Sequence, residues 1–513
     1  MINNSPVPRE YYSKEYKKQI IELKASELLK RFTKSRRVRE KNPHRPLYHA
    51  TSPECAMHDA NGLCFYKGRW HLFFQAYPPE YPKQHWGHMV SEDLIHWKDL
   101  PYALYPGPEQ ACFSGATLVE NDRVIAMYHG TARGNMVAVS DDDLLINWEK
   151  LTGDAVIDLD PKEREYQVFD PCIWKKGDYY YSLSGGYLPY ADSWKYRAAD
   201  FLFRSKDLIS WEYLHPFIEG DIFTLLGDDG ACPYFWPIGD KHILLFFSHM
   251  SAGQFLIGDY DKEKDKFYPH YHQRANHGIL HEGGVHAPSA TPDGNGGVVV
   301  IHNVNAGKKN SVMKSVMTMP RLMTFSDGEI NIEPTGDYRS LRCNHRHVSD
   351  RVLTADKKTT FSGITGNVIE MVIRIDAAES NMIELDVLKS DTEVTKIRYY
   401  HKRGFNRAYR LKETNTVDSV LEIDSTLSTT NSDILTRPIE SMQVEVNDDE
   451  LTELHIFIDK SIIEVFVNNR DCACVRVYPD NPESIGISIM SKGRSAKLKS
   501  LDIWDMKKID YSI

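Results

Sequence analysis

An all-β fold is what this sequence predicts: a five-bladed β-propeller plus a C-terminal β-sandwich, with a short N-terminal helix in front. Three observations lead there. Beyond about residue 46 the chain is a succession of short runs rich in Tyr, Phe, Trp, Ile and Val, separated by turn residues. One strand–turn–strand plan recurs five times at intervals of about fifty to sixty residues. Near residue 340 the repeats stop while the strand signals continue. The expected divisions are a helical extension over 1–45, the propeller over 46–338 and the sandwich over 345–513.

In the extension, Ile21, Ala25, Leu28, Leu29 and Phe32 recur at helical spacing and predict one apolar face. Lys30, Arg31, Lys34, Arg36, Arg37 and Arg39 lie on the other side, either as an anion-binding surface or as the solvated face of a helix packed on the main body; the second reading is preferred. The five repeats begin at Asn61, Phe113, Asp170, Cys232 and Ala287. A second repeat lies between them: SEDLIHW from Ser91, SDDDLLINW from Ser140 and SKDLISW from Ser205. Two interleaved repeats in phase signify radial repetition of a several-stranded unit. After residue 340, LHIFIDKSIIEVFVNNR from Leu454 alternates as an antiparallel hairpin does. No chemical motif stands in this region, so it is assigned to packing.

Composition narrows the function. The net charge of −10 argues against a nucleic-acid partner. No apolar run reaches the ~20 residues needed to cross a bilayer, so no membrane contact is expected. The sequence shows no apolar leader, and its eight cysteines lack CxxC spacing. A cytoplasmic protein with reduced thiols is expected, or a secreted one if a leader was trimmed away. HExxH and Cys–His metal spacings are missing from the sequence, and no metal and no cofactor are expected. The expected partner is a small carbohydrate, bound by a monomer or a homodimer.

The heads of the innermost strands converge on a propeller's axis, and here they are acidic. Asp59 precedes the first repeat, Asp170 opens the third, Asp228 and Asp229 precede the fourth and Glu282 the fifth; Ser114 marks the second. Several carboxyls around one narrow cavity are the material of glycoside hydrolysis, in which one attacks and another protonates the leaving oxygen. His58 and His286 stand beside these positions as further substrate contacts.

The motifs resemble those of glycoside hydrolase family 32, the invertases, fructanases and fructosyltransferases, across about residues 45–510. His58-Asp59-Ala60-Asn61-Gly62 is similar to the family's Asn-Asp-Pro-Asn-Gly and implies Asp59 as nucleophile. Gln75 and Trp86 match residues that contact fructose, and Asn61 is grouped with them. Phe113-Ser114-Gly115 matches Phe-Ser-Gly, with Phe113 joining Trp86 as an apolar wall. Phe169-Asp170-Pro171 matches Arg-Asp-Pro without its Arg and implies Asp170 as the transition-state stabiliser. The family's Glu-Cys-Pro, whose Glu is the acid/base, reads Ala231-Cys232-Pro233. Three explanations stand: an introduced inactivation, a binding protein without catalysis, or an acid moved to Asp229, with Asp228 or Glu282 as substitutes. The implied function is retaining cleavage of terminal β-D-fructofuranosyl linkages in sucrose-like sugars, fructo-oligosaccharides or fructose dianhydrides, with transfer to other sugars in reach. The alternatives are a non-catalytic fructoside-binding protein and a furanosidase for another sugar.

Overall fold

The computed structural model describes residues 5–513 except 160–164, 191–194, 279–282, 310, 312, 378, 405–415, 436–437 and 448–449. Among the described residues no helix is long and apolar enough to cross a membrane.

Five antiparallel sheets follow one another from Ala56 to Pro334. Their first strands are Ala56–Tyr66, Cys112–Val119, Pro171–Lys176, Ala231–Ile238 and Val285–Pro292. Each first strand touches those of the sheets before and after it, and the fifth touches the first, which closes the ring. This is the five-bladed propeller that the repeats announced. The Tyr234 hydroxyl ties the strands together near the axis. It accepts from Gly62 N–H at 2.9 Å, donates to the Gly115 carbonyl at 2.9 Å and meets Ser289 Oγ at 3.0 Å, so four blades share one phenol. Gly62 has φ +51, and a Cβ there would come within 2.7 Å of Thr117 Cγ2; only glycine fits this approach.

The second repeat is a turn between the third and outer strands of the first three blades. Asp93 accepts from Ile95 and His96 N–H, Asp142 from Leu144, Ile146 and Asn147 N–H, and Asp207 from Ile209 and Ser210 N–H. These carboxylates hold Leu94, Leu145 and Leu208 at φ +70, +53 and +67, a strained region for leucine. The Trp at the end of each turn is then placed for packing: Trp97 and Trp148 are buried, Trp211 partly so.

The remainder folds as two sheets. The six-stranded one contains Arg342–Leu353, Ala496–Met506, Val368–Asp376, Thr452–Asp459, Ile462–Val467 and Asp471–Arg476. The five-stranded one contains Glu440–Asn447, Thr416–Asp424, Thr395–Tyr400, Met382–Lys389 and Gly486–Lys492. Their facing sides form one apolar core including Ile373, Leu385, Ile397, Leu421, Ile456, Val465 and Leu501, a β-sandwich. The six-stranded sheet also docks on the propeller through buried charge. Asp459 accepts the backbone N–H groups of Leu47, Tyr48 and His49. Glu464 accepts from Met319 N–H and Arg321 Nη2, each at 2.6 Å. His49 lies between the two acids, 3.0 Å from Asp459 and 3.2 Å from Glu464.

The N-terminal extension departs from the single apolar face expected. It forms two helices, Tyr16–Ala25 and Glu27–Arg39, broken at Ser26, whose Oγ caps the second by accepting Leu29 N–H. The break turns Ile21 outward, 71 % exposed, while Leu23, Leu28 and Phe32 are buried. The basic side is only partly solvated. Arg36 is buried and forks onto Asp99 at 2.6 and 2.7 Å, and Arg31 pairs with Glu54 and Glu80. These helices are strapped onto the propeller by charge as well as by apolar burial.

Candidate active site

The site is built from places where strand pairing slips. Two residues of the first inner strand, His58 and Asp59, oppose the single residue Gln75, because Met57 pairs Ala76 and Ala60 pairs Phe74. The same two-against-one arrangement presents Phe113-Ser114 in the second blade, Cys232-Pro233 in the fourth and His286-Ala287 in the fifth. Bulges of this kind re-aim side chains out of the regular alternation. The first two strands of the third blade pair without a slip, and Asp170 stands just ahead of the first.

These heads meet at Asp59. Its Oδ2 accepts from Ser114 Oγ at 2.6 Å and from Gln75 Nε2 at 3.0 Å, and its Oδ1 lies 3.1 Å from His286 Nδ1. Gln75 also donates to Ser114 Oγ at 2.8 Å, so both donors are locked. Cys232, held at φ +52, directs its thiol to Asp170 Oδ2 at 3.5 Å and to Asp59 Oδ2 at 3.9 Å. Burial alone would raise the Asp59 carboxyl, but the bond and charge of His286, then His58 and Ser114, outweigh it and hold the group well below the usual carboxylate range. Asp170 goes the other way. Burial first, then the neighbouring Asp59 charge, push it up to about 7. Two carboxyls of one type are thereby separated, one anionic at neutral pH and one close to half protonated. An aromatic rim runs outward: Phe113 packs near His129, His129 stacks on Phe169, and Phe169 lies beside Tyr187.

The sequence matches the description "Glycosyl hydrolases family 32 N-terminal domain" over residues 49–334 and "Glycosyl hydrolases family 32 C terminal" over residues 337–505. The chain belongs to glycoside hydrolase family 32. It is 25 % identical over 495 residues to a sucrose-6-phosphate hydrolase of Zymomonas mobilis, covering 85 % of this chain and 87 % of that one. It is 23 % identical to the levanase of Bacillus subtilis over 511 residues, 91 % of this chain and 71 % of the other. Its fold is that of fructan 1-exohydrolase IIa from Cichorium intybus, with a TM-score of 0.79, 20 % identity, and coverage of 92 % and 99 %.

Within this family 32 chain the site residues expected from sequence fall into groups. Asp59, Gln75, Ser114, Asp170 and His286 are brought together as described above, and His58 lies beside them with its ring against Tyr77. Asn61 and Trp86 require correction as sugar contacts, because neither has exposed surface. Asn61 Oδ1 lies 3.4 Å from Gly115 N, and the Trp86 indole donates to the Phe113 carbonyl at 2.8 Å, so both support the bulge that presents Phe113 and Ser114. Asp228 is also corrected as a substitute acid. Buried, it accepts from Leu225 N–H, Ser248 Oγ and Ser251 Oγ and closes its own loop. Glu282 lies outside the described residues. Asp229 does face the site's neighbourhood, where it grips His249 through the backbone N–H at 2.9 Å and the ring Nδ1 at 2.7 Å. Sequence reading missed His249 and Cys232. The thiol was readable as the residue next to Ala231, whereas His249 follows a second strand and no repeat start marks it.

Two clusters among the described residues could hold a metal ion, His345–His347–Asp502 and Asp93–His96–Asp337. Neither includes a residue of the Asp59 group. A cavity of about 500 Å³ between the propeller and the sandwich, lined by Tyr271, Arg274, Glu445, Arg470 and Asp471, is likewise separate from it.

Proposed function

We propose that this chain is a retaining β-fructofuranosidase-type hydrolase that removes terminal β-D-fructofuranosyl units from sucrose-like sugars, short fructo-oligosaccharides or fructose dianhydrides. The observation that carries this reading is the state of Asp59: a buried carboxylate kept anionic by Ser114, Gln75 and His286 where the blades meet. An anion with both oxygens fixed is pre-organised for attack on an anomeric carbon. In the first step an Asp59 oxygen bonds to that carbon while the glycosidic C–O bond breaks, its electron pair leaving with the protonated oxygen. In the second, water attacks the same carbon, the Asp59 ester bond breaks and fructose departs with retained configuration. Asp170, near its titration point, is suited to hold ring hydroxyls with bonds that tighten as charge develops. The names of the relatives, sucrose-6-phosphate hydrolase and levanase, support a fructoside as substrate.

One observation favours a second reading, a fructoside-binding protein without turnover. Ala231 heads the fourth inner strand with no ionisable side chain. Fructose release from sucrose, 1-kestose, inulin, levan and difructose anhydrides separates the two. Turnover of any of these by the parent, lost in Asp59→Asn, supports the enzyme. A parent inert on all of them, with activity appearing in Ala231→Glu, supports the binder.

A further inference from the structure

A sugar alkoxide leaves slowly unless its oxygen is protonated as the bond breaks, and Ala231 has no proton to give. The hairpin that carries Ala231 offers another source. Ala231, the first residue of its strand, pairs with Phe247. Just beyond the ends of the two strands Asp229 holds His249 by its backbone N–H and its ring Nδ1. The Phe247 ring lies 5.0 Å from the His249 ring and 3.6 Å from that of His286, whose Nδ1 is 3.1 Å from Asp59 Oδ1. Asp229, His249, Phe247, His286 and Asp59 form one continuous wall. It runs from a side chain 64 % exposed at His249 to one 12 % exposed at Asp59. The outer end of such a wall is where a leaving group must depart.

Taking Asp59 as the nucleophile, as proposed above, we propose that His249 is the proton donor to the leaving oxygen and the later base toward water, and that Asp229 positions it. Imidazolium Nε2–H gives its proton to the glycosidic oxygen as the C–O electron pair moves onto that oxygen. The neutral imidazole then takes a proton from the water that attacks the anomeric carbon, and the ester electron pair returns to Asp59. Asp229 on Nδ1 fixes the ring orientation and leaves Nε2 as the exchanging nitrogen. The Asp229 hydrogen bond, acting against burial, also raises the His249 pKa, with the charges of Asp170 and Asp59 adding to it. His286 is unsuited to the role because its Nδ1 is on the nucleophile.

β-D-Fructofuranosyl fluoride tests this, because fluoride departs without a donated proton, and azide replaces water without needing a base. His249→Gln and Asp229→Asn should lose roughly 10²–10³-fold on the fructoside cleaved fastest in the panel above. On the fluoride with excess azide they should keep at least about half the parent rate and form fructosyl azide. Retained fluoride turnover also reports that the site is folded. Parallel loss on both substrates at an unchanged melting temperature, or no loss on either, overturns the assignment of His249. So does Asp170→Asn showing the fluoride-sparing pattern in its place. The underlying reading fails separately, if Asp59→Asn still turns over the fluoride.

Discussion

The heads of the propeller's inner strands and the core of the sandwich are both antiparallel β-structure, yet they are built on opposite rules. In the sandwich, Val368–Ile375 pairs with Thr452–Asp459 residue for residue, and Ile462–Val467 pairs with Asp471–Arg476 in the same way. Side chains in these pairs therefore alternate without interruption, and one face fills with Ile, Val and Leu; the slips that the sandwich has lie in other pairings, at Cys343–Arg346, Arg374–Ile375 and Asp386–Lys389. At the propeller heads the pairing slips in four of five blades, and each slip presents polar or aromatic groups: His58-Asp59, Phe113-Ser114, Cys232 and His286. Regular pairing supplies stability, and interrupted pairing supplies the chemistry. Substitutions in the two regions should accordingly affect different quantities.

The largest effect belongs to the propeller head. Asp59→Asn should lower turnover by ~10⁴-fold or more, since a nucleophile's loss is nearly the loss of catalysis. It should also lower the melting temperature, because the carboxylate, despite its burial, is held below its ordinary range by His286, His58 and Ser114 and so contributes stability when ionised. A steady-state assay and a thermal melt on the same preparation check both. An unchanged melting point would show that the Asp59 network does not help to hold the ring together.

Next comes the seam between the domains. Arg321→Met leaves Glu464 buried without its cation and should cost ~3–5 kcal/mol in denaturant unfolding. Burial works to raise the Glu464 carboxyl, but Arg321 and then His49 hold it down at about 2. Its folded value is thus depressed. The stability it contributes is present above the ordinary value of 4.5 and is lost as pH falls from there toward 2. The parent should weaken across that window, and Arg321→Met, already lacking the interaction, should weaken less. Equal acid sensitivity in both would remove Glu464 as the cause.

A smaller effect is expected inside the sandwich. Ile456 is fully buried in the apolar core, and Ile456→Ala should cost ~2–5 kcal/mol of stability. Turnover per folded molecule should be unchanged at a temperature well below the melt. A fall in the rate constant would mean that the sandwich does more than support the propeller.

How much of this was legible in the sequence follows from the same contrast. The blades could be counted because each repeats one strand–turn–strand plan, and the first three also repeat the Asp that props a strained Leu and the Trp that follows it. The acids at the strand heads could be named for the same reason. Which way they point could not, since a two-against-one slip is a property of two strands together, and Gln75 opposite His58-Asp59 is invisible in either strand alone. Trp86 and Asn61 were misplaced on the pocket surface because strand periodicity does not say how deep a side chain lies once a bulge intervenes. Ile21 was misplaced because the helical periodicity ran through Ser26, where the cap ends one helix and begins another. His249 was missed since its partnership with Asp229 depends on the register of a hairpin rather than on a repeat.

The finest test compares two carboxyls within the site. Asp170 is raised to about 7 by burial and, second, by the Asp59 charge. Like charge disfavours ionisation, so neutralising Asp59 should let Asp170 lose its proton at a lower pH even though its burial is unchanged. In Asp59→Asn the Asp170 midpoint, followed by carboxyl carbon resonance with Asp170→Asn for assignment, should move below that of the parent. Ile456→Ala, in the regularly paired region, should leave it in place. Because the two acids titrate as a coupled pair, the displacement measures their interaction directly. An unmoved midpoint would assign the whole elevation to burial, and the separation of the two carboxyls would then rest on the donors around Asp59 alone.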